Sequence, residues 1–212
     1  MMAAMDIQGF KSTFHGMVFE PPDAGYDEAR RIWNASVDKH PRFIAQCSGM
    51  ADVIAAVSFA RANNLLTAIR GGGHNVGGRA LCDDGIVIDL SGMRSVHVDS
   101  TKRTVRVQGG ATLGDMDHET HVFGLAVPCG IVPKTGIGGL TLGGGVGWLI
   151  RKYGMTIDNL LSCQIVTAER SVLTASTSEH EVKTGVVNRP PGRTSILGWT
   201  AQRKPVPERS IF

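Results

Sequence analysis

The chain has 212 residues, 42% of them hydrophobic and 19% charged, which suits one large or two small globular domains and excludes a disordered chain. A formal net charge of +3 gives no argument for nucleic acid or a membrane surface, and no apolar run approaches the ~20 residues of a membrane span. The 27 glycines stand well above ordinary usage, lack the period of collagen, and gather in two stretches.

Residues 1–37 read as a lead-in strand and helix. The opening Met1-Met2-Ala3-Ala4-Met5-Asp6 has no apolar h-region, so the expectation is a cytoplasmic protein with reduced thiols rather than a secreted one. A helix is predicted over residues 23–34, with Tyr26, Ala29, Ile32 and Trp33 on one apolar face. Asn34-Ala35-Ser36 has the form of a glycosylation sequon and, without a secretion signal, reads as chance. Pro41 closes this region. A main domain is expected over 38–180. It begins with a short strand at 43–45 and continues with a helix at 50–64, on which Val53, Ile54, Val57, Ala60 and Ala62 fall near helical spacing. A strand at 66–70 leads into the first glycine stretch, Gly71-Gly72-Gly73-His74-Asn75-Val76-Gly77-Gly78.

That stretch has two readings. Glycines free the backbone for close approach, and successive N–H groups can converge on a pyrophosphate, with Arg70 as a fixed positive charge at the entrance and His74 at the lip. The other reading is a flexible surface loop with a solvated histidine. No helix is predicted directly after it, which argues against a Rossmann site, where the pyrophosphate rests on a helix N-terminus.

Strands are predicted at 86–90, 96–98 and 105–108, the last two as a hairpin across a polar turn at 99–103. A helix follows over 112–123, with Thr112 as cap and Gly124 as stop. The second glycine stretch, residues 135–147, reads as a loop at the surface or around a ligand. A helical turn at 148–154 and strands at 160–168 and 172–175 complete the domain. Residues 181–212 carry Pro190, Pro191, Pro205 and Pro207 with no sustained amphipathic period, and read as an atypical tail, loop or disordered.

The chemistry-bearing side chains are few. There is no P-loop and no nucleophile elbow. His118 and His121 share a predicted helix with Asp115, Asp117 and Glu119, a pattern that fits a solvated face better than a ligand set, so no metal is expected. Cys47, Cys82, Cys129 and Cys163 have no zinc-finger or Cys-x-x-Cys spacing.

The constellation of Arg70-Gly71-Gly72-Gly73-His74-Asn75, Val87-Ile88-Asp89-Leu90-Ser91, Val105-Arg106-Val107-Gln108-Gly109-Gly110 and Thr135-Gly136-Ile137-Gly138-Gly139-Leu140-Thr141-Leu142-Gly143-Gly144-Gly145 resembles the flavin-dependent oxidases of the vanillyl-alcohol oxidase and berberine-bridge-enzyme type. Tyr153-Gly154-Met155-Thr156-Ile157-Asp158-Asn159 also fits, and the resemblance runs from about Gly25 to Thr177.

The resemblance implies an α+β, PCMH-type FAD-binding domain of two α/β subdomains with FAD extended between them, its C-terminal part incomplete. It implies an FAD-dependent oxidoreductase in which hydride passes from a small alcohol, sugar or amine to flavin N5, with O2 as the acceptor. The alternative is a truncated, non-catalytic flavin-binding remnant. Cofactor contacts are implied for Arg70, Gly71, Gly72, Gly73, His74, Asn75, Thr135, Gly136, Gly138, Gly139, Thr141, Gly144 and Gly145. The last two, with Gly143 and Gly147, serve equally well as tight-turn residues. His74 is implied to carry the FAD covalently through the flavin 8α-methyl. A second bond, from cysteine, is not expected, because Val132 precedes Pro133 where some members have that cysteine. Cys129 is left as a pocket-lining candidate. No catalytic base, substrate or oligomeric state is implied. The abrupt loss of resemblance after about residue 181 suggests a reading-frame slip or an alternative end of the coding region.

Overall fold

A computed structural model describes residues 5–176 and the strand backbones of 200–203 and 206–207. The rest of the tail expected as loop or disorder lies outside the described residues. The first lobe contains α1 (Ile7–Thr13), β1 (Met17–Phe19), α2 (Tyr26–Ala29), β2 (Phe43–Gln46), α3 (Met50–Ala62), β3 (Thr67–Arg70) and β4 (Ile86–Asp89). Its sheet runs β1-β2-β4-β3, with β1 antiparallel to β2 and the other pairs parallel.

The run Ile86-Val87-Ile88 explains the centre of this sheet. Ile86 and Ile88 face α3, where Val53, Ala56, Val57 and Phe59 meet Phe43 and Ala45. Val87 faces the other way, towards Tyr26, Ile44, Ala68 and Leu81. A parallel strand covered on both faces is therefore apolar without alternation.

α3 starts where the sequence predicts. Asp52, three residues into the helix, turns back to accept the Ser48 N–H at 2.9 Å and the Ser48 hydroxyl at 2.6 Å. It also accepts the N–H of His15 at 2.9 Å, which ties the N-terminal segment to the sheet. α2 is shorter than its periodicity predicts. Gly25 takes φ +91° at its start, and beyond Ala29 the helical bonds lose to distant partners. Trp33 donates its N–H to Gly73 O at 3.0 Å, and Arg70 takes the carbonyls of Ala29 and Arg31.

The second lobe contains β5 (Val96–Asp99), β6 (Thr104–Gln108), α4 (Leu113–His121), β7 (Leu125–Ala126), α5 (Ile137–Leu142), α6 (Ile150–Tyr153), a 3-10 turn (Ile157–Asn159), β8 (Leu160–Val166), β9 (Val172–Ser176), β10 (Thr200–Arg203) and β11 (Val206–Pro207). Its sheet is antiparallel throughout, in the order β5-β6-β10-β8-β9, and β11 pairs with β7. α4 lays Leu113 and Met116 on Val105 and Val107 of β6. A capping box between Thr112 and Asp115 fixes its start, and Gly124 follows it at φ +60°. β10 lies in part of the tail where no element is expected. Ala201 stands between Val107 and Cys163, joining the β5–β6 and β8–β9 hairpins. No helix among the described residues is long and apolar enough to cross a membrane.

Two measurements check these supports. Burial alone would raise the Asp52 carboxyl, but the Ser48 hydroxyl and the N–H groups of His15, Ser48 and Gly16 hold it below the usual carboxylate range. Its contribution is therefore present above about pH 4 and is lost as pH falls through the lowered native value. Asp52→Asn is expected to cost about 1–3 kcal/mol at neutral pH, a deficit that closes in chemical denaturation below that pH. Ala201→Pro removes a ladder donor from a strand flanked on both sides. It should lower Tm by at least about 2–4 °C, the shift for about 1 kcal/mol in a chain of this size; an unchanged melt would remove β10 from the sheet.

Candidate functional site

The parallel strands β2, β4 and β3 end side by side, with Gln46, Asp89 and Arg70 in register across their C-terminal edge. Asp89 is fully buried there. Arg70 grips it with Nε at 3.0 Å and Nη2 at 2.5 Å. The remaining lone pairs of Asp89 accept the Ser91 N–H at 3.0 Å and the Ser91 hydroxyl at 2.7 Å. A bidentate pair with its other lone pairs satisfied can tolerate burial. The fixed positive charge expected at the loop entrance is present but paired: Asp89 neutralises Arg70, whose third nitrogen holds the carbonyls of residues 29 and 31.

The first glycine stretch leaves β3 at this edge and has no regular structure before β4. Asn75 shapes its far turn by accepting the Arg79 N–H on Oδ1 at 2.8 Å. Its near end lies directly on the second glycine stretch. A Cβ on Gly72 would stand 2.4 Å from the Gly136 nitrogen, and one on Gly136 would stand 2.3 Å from the Gly72 nitrogen. Two backbones meet with no side chain between them, which only glycine allows at both positions.

The second stretch is not the continuous loop its composition predicts. It contains α5, anchored by the Ile137 N–H to Ala111 O at 3.0 Å and by a bridge between Gly136 and Thr112. Winding into a helix divides its residues. Thr135, Gly136 and Gly139 face the first loop, with Leu140 and Gly143 beside them. Four expected contact residues do not. Gly138 is buried within α5. Thr141 is fully buried and donates its hydroxyl to Ile137 O at 2.7 Å. Gly144 and Gly145 form a left-handed turn against Met155 and Thr156, where their carbonyls accept the N–H groups of Ile157 and Thr156.

Between the two stretches lies one cleft of about 910 Å3, walled by residues 71–77 on one side and by Thr135, Gly136, Gly139 and Gly143 on the other. That is near the top of the roughly 300–1,000 Å3 range of small-molecule and cofactor sites. A Cβ on Gly139 would meet nothing within 4 Å, so this wall of the cleft is open space bordered by bare backbone. His74 lines the cleft, and its Nε2 is buried with no hydrogen-bond partner among the described residues. Its imidazole is stacked on Trp33, with centroids 4.8 Å apart and an interplanar angle of 19°. Sequence reasoning put Trp33 on the apolar face of a helix. The usable signal was its place just before Asn34, whose side chain donates to Val76 O at 2.8 Å and brings this segment onto the loop. A backbone-lined cleft bordered by an imidazole whose Nε2 has no partner among the described residues suits an extended dinucleotide that carries an aromatic head.

The other candidates lie elsewhere. Cys129 borders a separate cavity of about 430 Å3 with Asp117, His121 and Trp148, not the His74 cleft. Cys47, Cys82 and Cys163 are buried free thiols, each pushed upward in pKa by burial. Among the described residues, no three His, Cys, Asp or Glu side chains converge on a metal position.

The FAD binding domain family matches residues 41–176. (R)-6-hydroxynicotine oxidase of Paenarthrobacter nicotinovorans is 41% identical over 167 residues, covering 79% of this chain and 36% of that protein. Berberine bridge enzyme-like 14 of Arabidopsis thaliana is 31% identical over 216 residues, 97% of this chain and 40% of that protein. The crystal structure of 6-hydroxy-D-nicotine oxidase from Arthrobacter nicotinovorans superposes with a TM-score of 0.85 at 37% identity, covering 92% of this chain and 43% of that one. The chain thus spans well under half the length of these relatives. With two lobes, glycine-lined walls and matching relatives in agreement, the chain belongs to the FAD binding domain family, of the PCMH type found in vanillyl-alcohol oxidase and berberine-bridge-enzyme relatives.

Proposed function

We propose that this chain is the flavin-holding part of an FAD-dependent oxidoreductase, an oxidase acting on a small alcohol, sugar or amine with dioxygen as acceptor. The contact of Gly72 with Gly136 carries this reading, because it brings both glycine stretches to one cleft of cofactor size. In it, the backbone of 71–73 and that of Gly136 and Gly139 hold the dinucleotide, Asn75 keeps the loop turned, and the Arg70–Asp89 pair fixes the loop's root. When bound, the flavin supplies two-electron redox chemistry, and the protein supplies orientation and electrostatics. No base for substrate deprotonation is assigned to this chain.

His74 is proposed to hold the flavin covalently. Joining an imidazole nitrogen to the 8α carbon releases two protons and two electrons, which dioxygen takes as hydrogen peroxide. The buried Nε2 without a partner and the position of the ring in the cleft support this role.

Acid precipitation of the purified protein tests it. Yellow colour should remain in the pellet, and in His74→Ala it should move to the supernatant while the fold persists. Acid-stable colour in the variant would refute the linkage, and a colourless wild type would favour the non-catalytic remnant. A pair of glycine variants tests the cleft itself. Gly72→Ala must part the two backbones, at a cost of about 1–3 kcal/mol, so both Tm and FAD retention should fall. Gly139→Ala lies in a helix with open space around it, so the flavin-free protein should melt at or slightly above the wild-type temperature while FAD retention drops. If Gly139→Ala holds FAD as the wild type does, that face of α5 is not a cofactor wall.

A further inference from the structure

A loop with three glycines before its histidine has little of its own to orient that side chain. The orientation comes from outside. The segment from Ala29, the last residue of α2, to Lys39 is bonded along the loop. Trp33 N–H reaches Gly73 O at 3.0 Å. Asn34 Nδ2 reaches Val76 O at 2.8 Å, and Lys39 Nζ reaches Gly78 O at 3.0 Å and Leu81 O at 3.2 Å. Arg70 fastens the other end of the segment through Ala29 O and Arg31 O.

Within this brace, Trp33 is in an uncommon position. It is 62% exposed, so burial does not explain where it sits. Its ordered contact is the face of the His74 imidazole, 4.8 Å away and nearly parallel. A functional histidine is commonly oriented by a hydrogen bond to its second ring nitrogen, which consumes that nitrogen. Here the buried Nε2 has no such partner among the described residues. Stacking fixes the plane of a ring without using a nitrogen lone pair.

We propose that Trp33 is the positioning residue of His74: its indole face, held by the 29–39 brace, fixes the imidazole plane for bond formation with the flavin. This rests on the covalent role given to His74 above. The ring arrives already oriented, so attachment does not wait for a flexible loop to present it, and misalignment by about 1 Å can cost on the order of 100-fold in rate.

The test uses the full chain prepared without flavin, to which FAD is added in air while acid-stable flavin is followed with time. Trp33→Ala should slow attachment about 10- to 100-fold while the FAD concentration giving half-maximal rate stays close to wild type. Trp33→Phe should recover most of the rate. Attachment by Trp33→Ala at the wild-type rate overturns the proposal, as does a Trp33→Phe variant as slow as Trp33→Ala. A second measurement needs no cofactor. In the flavin-free protein, the His74 ring protons, identified by their loss in His74→Ala, should be shifted upfield by the indole and should lose that shift in Trp33→Ala. An unshifted wild-type signal overturns the stack whatever the attachment rates. A wild type that forms no acid-stable flavin removes the covalent reading of His74, and the ring shift then decides alone whether Trp33 holds the imidazole.

Discussion

The backbone of Gly72 lies against the backbone of Gly136, and neither residue has room for a Cβ. This contact couples the two lobes. One partner is the continuation of β3 in the parallel sheet, and the other leads into α5, which is anchored to the turn before α4. Any side chain at either position would drive the two backbones apart. Glycine at these two positions therefore serves an approach of chain to chain.

Electrostatics act one layer behind the cleft. Arg70 and Asp89 sit at the ends of neighbouring strands, and burying either alone would be costly. Together they form a rigid, neutral root from which the loop departs. The spare donors of Arg70 reach the 29–39 segment, so one guanidinium joins β3, β4 and the brace. The charge at Arg70 thus helps keep the loop in place.

Features set by local periodicity were legible in the sequence. α3 followed from its apolar spacing, β4 from an unbroken apolar run, the β5–β6 hairpin from its polar turn, and α4 from its cap. The family resemblance led to the two glycine stretches as walls of one site, and they do share a cleft. Contributions from distant residues were not legible. α5 forms in a glycine-rich stretch where each glycine costs about 1 kcal/mol of helix propensity, because tertiary bonds through Ala111 and Thr112 hold it. That winding turns Gly138 and Thr141 inward, which no count of glycines reveals. α2 stops early because Gly73 and Arg70, some forty residues on, claim its next backbone groups. Trp33 reads from sequence as part of an apolar helix face for the same reason: its stacking partner is remote in sequence.

The place of β10 has a consequence for the order in which the molecule can be built. The first lobe closes its sheet among residues 17–89, soon after they are synthesised. Val107, by contrast, must wait for Ala201. At about 5–20 residues per second on the ribosome, that wait is on the order of 10 s. Until Ala201 arrives, the free flank of the β5–β6 hairpin, and later that of β8–β9, stands open to strand exchange with a sister chain.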